Sequence, residues 1–232
     1  MKKLVSLFFK QRAKTTQSKL DIIIDRFSHL DIDGLEDLQR LIMRPIQSHH
    51  MRENVYLLDQ HPSKLLDFSP EDFGIKYIPS MECTFIRFFY ELVPKIESKN
   101  IPLAHLGRDI VLPTPWSPER TSRLLGVLGN KEEWAPDLNH NLQWCYPFNI
   151  FLVISGNHSI TQGIIRSSGN IKPRYGYDFS ILYQYIEFDG YSWIDIKTGQ
   201  KIGEPRYMEL GYIYEIGRII FEKSAPKLEQ KH

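Results

Sequence analysis

Phe148-Asn-Ile-Phe-Leu-Val-Ile-Ser-Gly-Asn-His-Ser-Ile-Thr-Gln-Gly-Ile-Ile-Arg-Ser-Ser168 changes its hydrophobic period halfway along. Ile150 to Ile154 is a continuous, partly β-branched apolar run, as suits a strand buried on both faces. Ser155-Gly156-Asn157 is a turn cluster. From His158 the spacing turns helical, with Ile160, Ile164 and Ile165 on one side, and Gly169-Asn170 stops it. A buried strand that turns directly into a helix exposes helix amides at the strand's carboxyl end. Those amides and the helix dipole favour an anion, typically a phosphate. His158, Ser159 and Thr161 put polar side chains there. The plainer alternative is that Asn157 or Ser159 only caps the helix and His158 meets solvent.

Upstream of this stretch, residues 130–147 read as a long polar loop carrying Trp134, His140, Trp144 and Cys145. Loops of that length in compact domains are often functional, and chain proximity brings His140 towards His158. Further back, Leu106 to Leu112 reads as a strand with a rigid exit at Pro113-Thr114-Pro115-Trp116. Ser117 then caps a helix with Pro118 at its first position. That helix carries Leu124, Leu125 and Leu128 and ends at Gly129-Asn130. Arg120 and Arg123 share its polar side, within reach of a phosphate. The alternative is that they are solvated or paired with acids such as Glu119.

Downstream, Tyr175 to Asp178 is extended. Strand-like runs at Ile181–Phe188 and Tyr191–Ile196 flank Asp189-Gly190, a hairpin signal. Lys197 to Gln200 forms a second turn, so an antiparallel meander is expected. A last helix begins near Met208, with Glu215 and Arg218 at ion-pair spacing. Residues 225–232 read as a disordered tail.

The first hundred residues look mainly helical. Leu20, Ile23, Ile24 and Phe27 recur at helical spacing, as do Leu35, Leu38, Leu41 and Ile42, and Pro45 should end or kink the second run. His49, His50 and His61 read as surface residues. Ser69-Pro70 opens a very short helix. Phe85 to Ile96 reads as a longer helix, preceded by Cys83 as a small core residue. Residues 1–19 carry six positive charges and no negative ones, which makes either a basic arm for nucleic acid or acidic lipid, or a solubilising end.

The expected fold is therefore α+β. A helical region over 1–100 joins a mixed-sheet region over 101–224, and the halves can share one core. Net charge is +1 in 232 residues, so no global field argues for nucleic acid. Two cysteines make no disulfide framework and point to the cytoplasm. No apolar run reaches the roughly 18 residues of a membrane span. The start mimics a signal peptide but lacks a cleavage site, so export is not expected.

No Gly-x-x-x-x-Gly-Lys-Ser/Thr and no Gly-x-Gly-x-x-Gly is present. The strand followed by Ser-Gly-Asn-His-Ser-Ile-Thr-Gln-Gly resembles the ParB/sulfiredoxin superfamily over about residues 105–170. Gly156 matches that family's turn glycine, and Asn157 and His158 its helix-entry residues. Ser159 stands where the family usually has arginine, a departure that removes its characteristic cation. Asp109 to Trp116 with Arg120 is similar to the family's early strand and Pro-x-Arg region. The resemblance implies a nucleotide-phosphate site serving a DNA-associated switch, a kinase-like enzyme or a nuclease.

The expected site has Gly156, Asn157 and Ser159 as an anion nest and Arg120, Arg123 and Arg166 as cations. His158 is the donor or acid/base, with Asp109 or Glu119 as the nearest acid. A nucleotide and a divalent metal are the two cofactors these residues admit. A metal-dependent nuclease using His140 and His158 is one alternative, and a zinc set of His140, Cys145 and His158 is another, though its spacing matches no standard pattern. Cysteine chemistry at Cys145 beside His140 is a weaker reading. The remaining class is a non-enzymatic module that presents Trp116, Trp134, Trp144, Tyr146, Tyr175 and Tyr177 to a base or a protein partner.

Overall fold

The computed structural model describes residues 17–56, 65–127 and 133–224. Most of the basic N-terminal stretch, His61, the expected helix end at Gly129-Asn130 and the tail at 225–232 lie outside them.

The chain opens with α1 (Lys19–Phe27). Ser18 and Asp21 form a reciprocal capping box at its start. Next, α2 (Ile32–Tyr56) continues for 25 residues through Pro45, so the proline does not end the helix there. A proline removes one backbone donor. On both sides of Pro45, buried glutamines fix the helix to distant backbone. Gln39 donates to Pro147 O and Ile213 O, both at 2.9 Å, and Gln47 donates to Val111 O at 2.9 Å. Tertiary bonds thus hold the helix across its weak point. His50 on α2 is buried, not on the surface, and His49 pairs with Glu53.

Short elements follow: α3 (Pro70–Phe73), β1 (Tyr77–Ile78), β2 (Cys83–Thr84) and α4 (Phe85–Arg87). A π-helical turn (Phe88–Leu92) continues α4, and β3 (Lys95–Ile96) comes after it. The long helix expected over 85–96 is therefore one α/π segment, cut at Val93 where the backbone turns extended before Pro94. Then come β4 (Ala104–His105) and β5 (Ile110–Leu112). Residues 106–109 are a turn instead of strand, because the Asp109 carboxylate accepts the His105 N–H at 2.8 Å and closes the chain on itself.

After β5 the order is α5 (Pro118–Leu124), β6 (Asn141–Tyr146), β7 (Ile150–Ser155) and α6 (Asn157–Ile165). The expected polar loop thus contains a sheet strand. Leu142 and Trp144 on β6 enter one apolar cluster while Cys145 enters the other, a period-2 alternation between two faces. The chain closes with β8 (Asn170–Ile171), β9 (Tyr175–Asp178), β10 (Ile186–Phe188), β11 (Trp193–Asp195), β12 (Lys201–Gly203) and α7 (Met208–Ser224). Residues 181–184, expected as the start of a strand, belong instead to a 3-10 helix (Phe179–Gln184), which Asp178 caps through the Ser180 amide.

The fold is α+β. A five-stranded mixed sheet has the order β3-β9-β6-β7-β5, with β5 parallel to β7 and β6 antiparallel to it. The meander β10-β11-β12 is antiparallel throughout, with a four-residue loop at Asp189–Ser192. The larger core cluster joins Leu20, Met43, Phe73 and Phe85 to Ile150, Phe179, Trp193 and Tyr214, so side chains from before and after residue 100 pack together. The second cluster covers the other sheet face with Val111, Phe151, Ile160 and Ile164. Two covered faces explain the unbroken apolar run of β7. Its end differs: Ile154 is 57% exposed. No helix among the described residues is long and apolar enough to cross a membrane.

Candidate anion-binding cleft

The parallel neighbours β5 and β7 end at the same sheet edge. There β5 leaves through Pro113–Trp116 towards α5, and β7 leaves through Gly156 into α6. Side chains from α6 tie these exits together. Asn157 Oδ1 accepts the Thr114 N–H at 2.6 Å, and His158 Nε2 accepts the Ser117 N–H at 3.1 Å. Neither Asn157 nor Ser159 caps α6: Gly156 stands at the cap position with no side-chain bond. The amides of Asn157, His158 and Ser159 meet no acceptor among the described residues, and the first bonded amide is that of Ile160, to Gly156 O. Three free helix amides thus open at the carboxyl ends of two parallel strands, where ligands of open sheets commonly bind.

These amides lie in a cleft of about 640 Å³. One side is lined by Trp116, Arg120, Arg123 and Leu124, the other by Asn139, Ile154, Ser155 and residues 156–159. The Arg120 guanidinium lies 4.8 Å over the Trp116 ring, and Trp116 meets His158 in a T-shaped contact at 5.5 Å. Partial burial first, and Arg120 second, hold the His158 pKa below its ordinary value. The ring is therefore neutral near pH 7. With Nε2 occupied as an acceptor, the proton sits on Nδ1, which has no partner among the described residues.

His140 reaches the same corner but is locked. Its Nδ1 accepts the Asp137 N–H at 2.9 Å, its Nε2 bonds Ser159 Oγ, and its ring stacks on Trp134 at 5.2 Å. Asp137, His140 and Ser159 follow the order of a serine–histidine–acid relay, yet the proton is on the wrong nitrogen. An N–H donor at Nδ1 requires the imidazole proton on Nε2, so His140 donates to Ser159 Oγ and Ser159 donates to Gly156 O at 3.2 Å. Burial keeps the ring's pKa low. The group is a brace for the turn, with neither a free base nor an open metal ligand.

The cleft gathers Gly156, Asn157, His158, Ser159, Arg120 and Arg123, and leaves out Asp109, Arg166 and Cys145. Asp109 is buried at the opposite, amino end of β5. It accepts from His105 N and Arg108 Nε and pairs with Arg40 at 3.3 Å. Arg166 follows the last residue of α6, roughly 15 Å along the helix from Gly156 by the rise per residue. Cys145 lies in the main core, where burial pushes its thiol up to about 12, so it is no nucleophile. His140 and Cys145 stand five residues apart on or beside β6, roughly 16 Å in an extended strand. They do not converge on one metal with His158. Among the described residues no three metal-type side chains cluster. Of the six aromatics singled out in the sequence, Trp116 alone lines the cleft. Sequence reading missed Leu124, Ile154 and Asn139 as lining, and the Thr114 and Ser117 amides as anchors. The only advance signal was the Ser117-Pro118 helix start.

A family model matches residues 6–226, and the chain belongs to that family, described as a family of unknown function (DUF6710). No curated protein and no solved structure matches the chain.

Proposed function

We propose that the cleft binds the phosphate of a nucleotide or of a nucleic-acid strand. The observation that carries this reading is the convergence of three unbonded helix amides with two guanidinium groups on one cleft. Each feature alone is common. Together they offer oriented N–H donors, a favourable dipole end and mobile positive charge, the requirements of phosphate recognition. Neither Arg120 nor Arg123 has a carboxylate within ion-pair distance among the described residues, although Arg123 lies near enough to Glu119 to help lower that carboxyl's pKa. His158 adds a donor at Nδ1. The Gly-Asn-His helix entry, which resembles that of the ParB/sulfiredoxin superfamily, supports the same ligand class. Two buried, unpaired cysteines suit a cytoplasmic setting.

Thermal denaturation with mono-, di- and triphosphate nucleotides tests the reading, because a ligand that binds only the folded state raises Tm. A nucleotide-dependent rise is expected, reduced by added salt and lost in Arg120→Ala/Arg123→Ala, whose Tm without ligand stays near that of the wild type. No rise with any phosphate compound, or an undiminished rise in the double variant, overturns it.

A further inference from the structure

We propose that Trp116 is the stacking platform for a nucleobase, and that Arg120 leaves the indole for the ligand's phosphate as the base takes its place. The second half rests on the phosphate reading above; the first stands on the cleft's apolar lining. Trp134, Trp144 and Trp193 are 5%, 9% and 1% exposed, whereas Trp116 is 45% exposed. It lies in the cleft beside Leu124 and the exposed Ile154. A bare phosphate has no use for an apolar wall, and a cleft of about 640 Å³ falls in the range that holds organic ligands. An aromatic ring on the phosphate fits both.

The platform is held in place beforehand. Pro113 and Pro115 restrict the approach to Trp116, the next amide is tied to His158, and the His158 ring packs against the indole. Arg120, by contrast, is exposed, and its side chain has no hydrogen bond or ion pair among the described residues; its guanidinium lies over the indole. An exposed cation–π contact is weaker than two charge-assisted bonds from a guanidinium to a phosphate. Stacking of a base on the uncovered indole then replaces the contact given up. The base and phosphate come from a free nucleotide or from a strand, and the test separates the two.

The experiment is calorimetric titration of the wild type, Trp116→Ala and Trp116→Phe with inorganic phosphate, ribose 5-phosphate, adenosine, AMP and a short single-stranded oligonucleotide. Circular dichroism first checks that each variant is folded. AMP is expected to bind about tenfold more tightly than ribose 5-phosphate, in line with one base–aromatic stack. Trp116→Ala should abolish that advantage without weakening ribose 5-phosphate binding, and Trp116→Phe should keep most of it. A Trp116-dependent gain for the oligonucleotide above AMP supports the platform and identifies a strand as the source. Equal binding of AMP and ribose 5-phosphate by the wild type overturns the platform and leaves the phosphate reading standing. Trp116-dependent binding of adenosine without binding of any phosphate compound supports the platform and overturns the phosphate reading. If nothing binds, both fall.

Discussion

His158 Nε2 accepts the backbone N–H of Ser117 at 3.1 Å, so the ring at the start of one helix holds the cap of another. Ser117 is buried, and its amide has no other acceptor among the described residues. His158→Ala should therefore cost about 1–3 kcal/mol, the usual penalty for orphaning a buried donor. His158→Gln places an oxygen near the lost nitrogen and should recover most of that loss. Urea denaturation of both variants checks this. If the glutamine variant is as unstable as the alanine variant, the bond is not what His158 contributes. Nucleotide affinity measured in parallel separates the roles: recovery with glutamine means that His158 acts by placing α5 and its arginines. Continued loss points to the Nδ1 proton.

Gly156 has φ +84°, in the left-handed region, and a Cβ there would stand 2.5 Å from His140 Cδ2 and 3.0 Å from Asn139 O. His140 cannot retreat, because both ring nitrogens are bonded and its face lies on Trp134. Gly156→Ala should destabilise the protein by more than the roughly 1 kcal/mol expected of a left-handed alanine alone. It should also disturb the α6 amides and weaken ligand binding. Paired measurements of Tm and affinity test this, and an unchanged Tm would show that the turn relaxes freely.

The organising strand-turn-helix was legible because each of its parts carries a local signal. A β-branched run, a turn cluster and isoleucines at helical spacing fall in one continuous stretch. Ser117-Pro118 was legible for the same reason, as were the meander and the Glu215–Arg218 pair. What stayed hidden depends on distant partners. The strand β6 reads as polar because Asn141 and Gln143 interrupt it, and only the two core clusters reveal Leu142, Trp144 and Cys145 as inward residues. Pro45 looked like a helix end because Gln39 and Gln47 bond to backbone far off in sequence. Asp109 looked close to the site by its position in the chain, yet it lies at the wrong end of a strand whose direction no local pattern reveals.

Arg218 lies over the Tyr183 ring at 4.6 Å and donates to Tyr183 O at 2.8 Å, Ile186 O at 2.6 Å and Glu215 Oε2 at 2.9 Å. Glu215 is buried and also accepts the Phe188 amide at 2.7 Å. The pair bolts α7 to the 3-10 turn and the meander. Arg218→Ala should cost about 3–5 kcal/mol, because it leaves a buried carboxylate without its cation. Arg218→Lys should recover only part, since an ammonium cannot span the same fork of acceptors. Equilibrium unfolding in urea gives both numbers, and a loss below about 1 kcal/mol for the alanine variant would show that water replaces the guanidinium.

His50 should give the protein an acid-sensitive step. Its Nδ1 donates to Pro113 O at 3.2 Å, its Nε2 has no partner among the described residues, and the residue is 1% exposed. Burial lowers its pKa to about 4 from 6.5. The folded state thus prefers the neutral ring, and between those values the unfolded chain binds more protons than the folded one. Stability from this group is complete above pH 6.5 and is lost as pH falls towards 4, by about 3 kcal/mol. Asp72 works in the opposite direction. Burial first, and its bond with Asp67 next, raise its carboxyl to about 7, so its own contribution is present at low pH and lost as pH rises through that value. The wild-type curve therefore mixes two slopes, and a variant must separate them. His50→Asn keeps an N–H donor near Pro113 O and removes the titration. Unfolding free energies at pH 7, 5.5 and 4 should fall more steeply in the wild type than in His50→Asn, with the gap closing by about 3 kcal/mol across that range. Parallel curves would mean that His50 takes up its proton without cost, and that the buried Nε2 has water within reach.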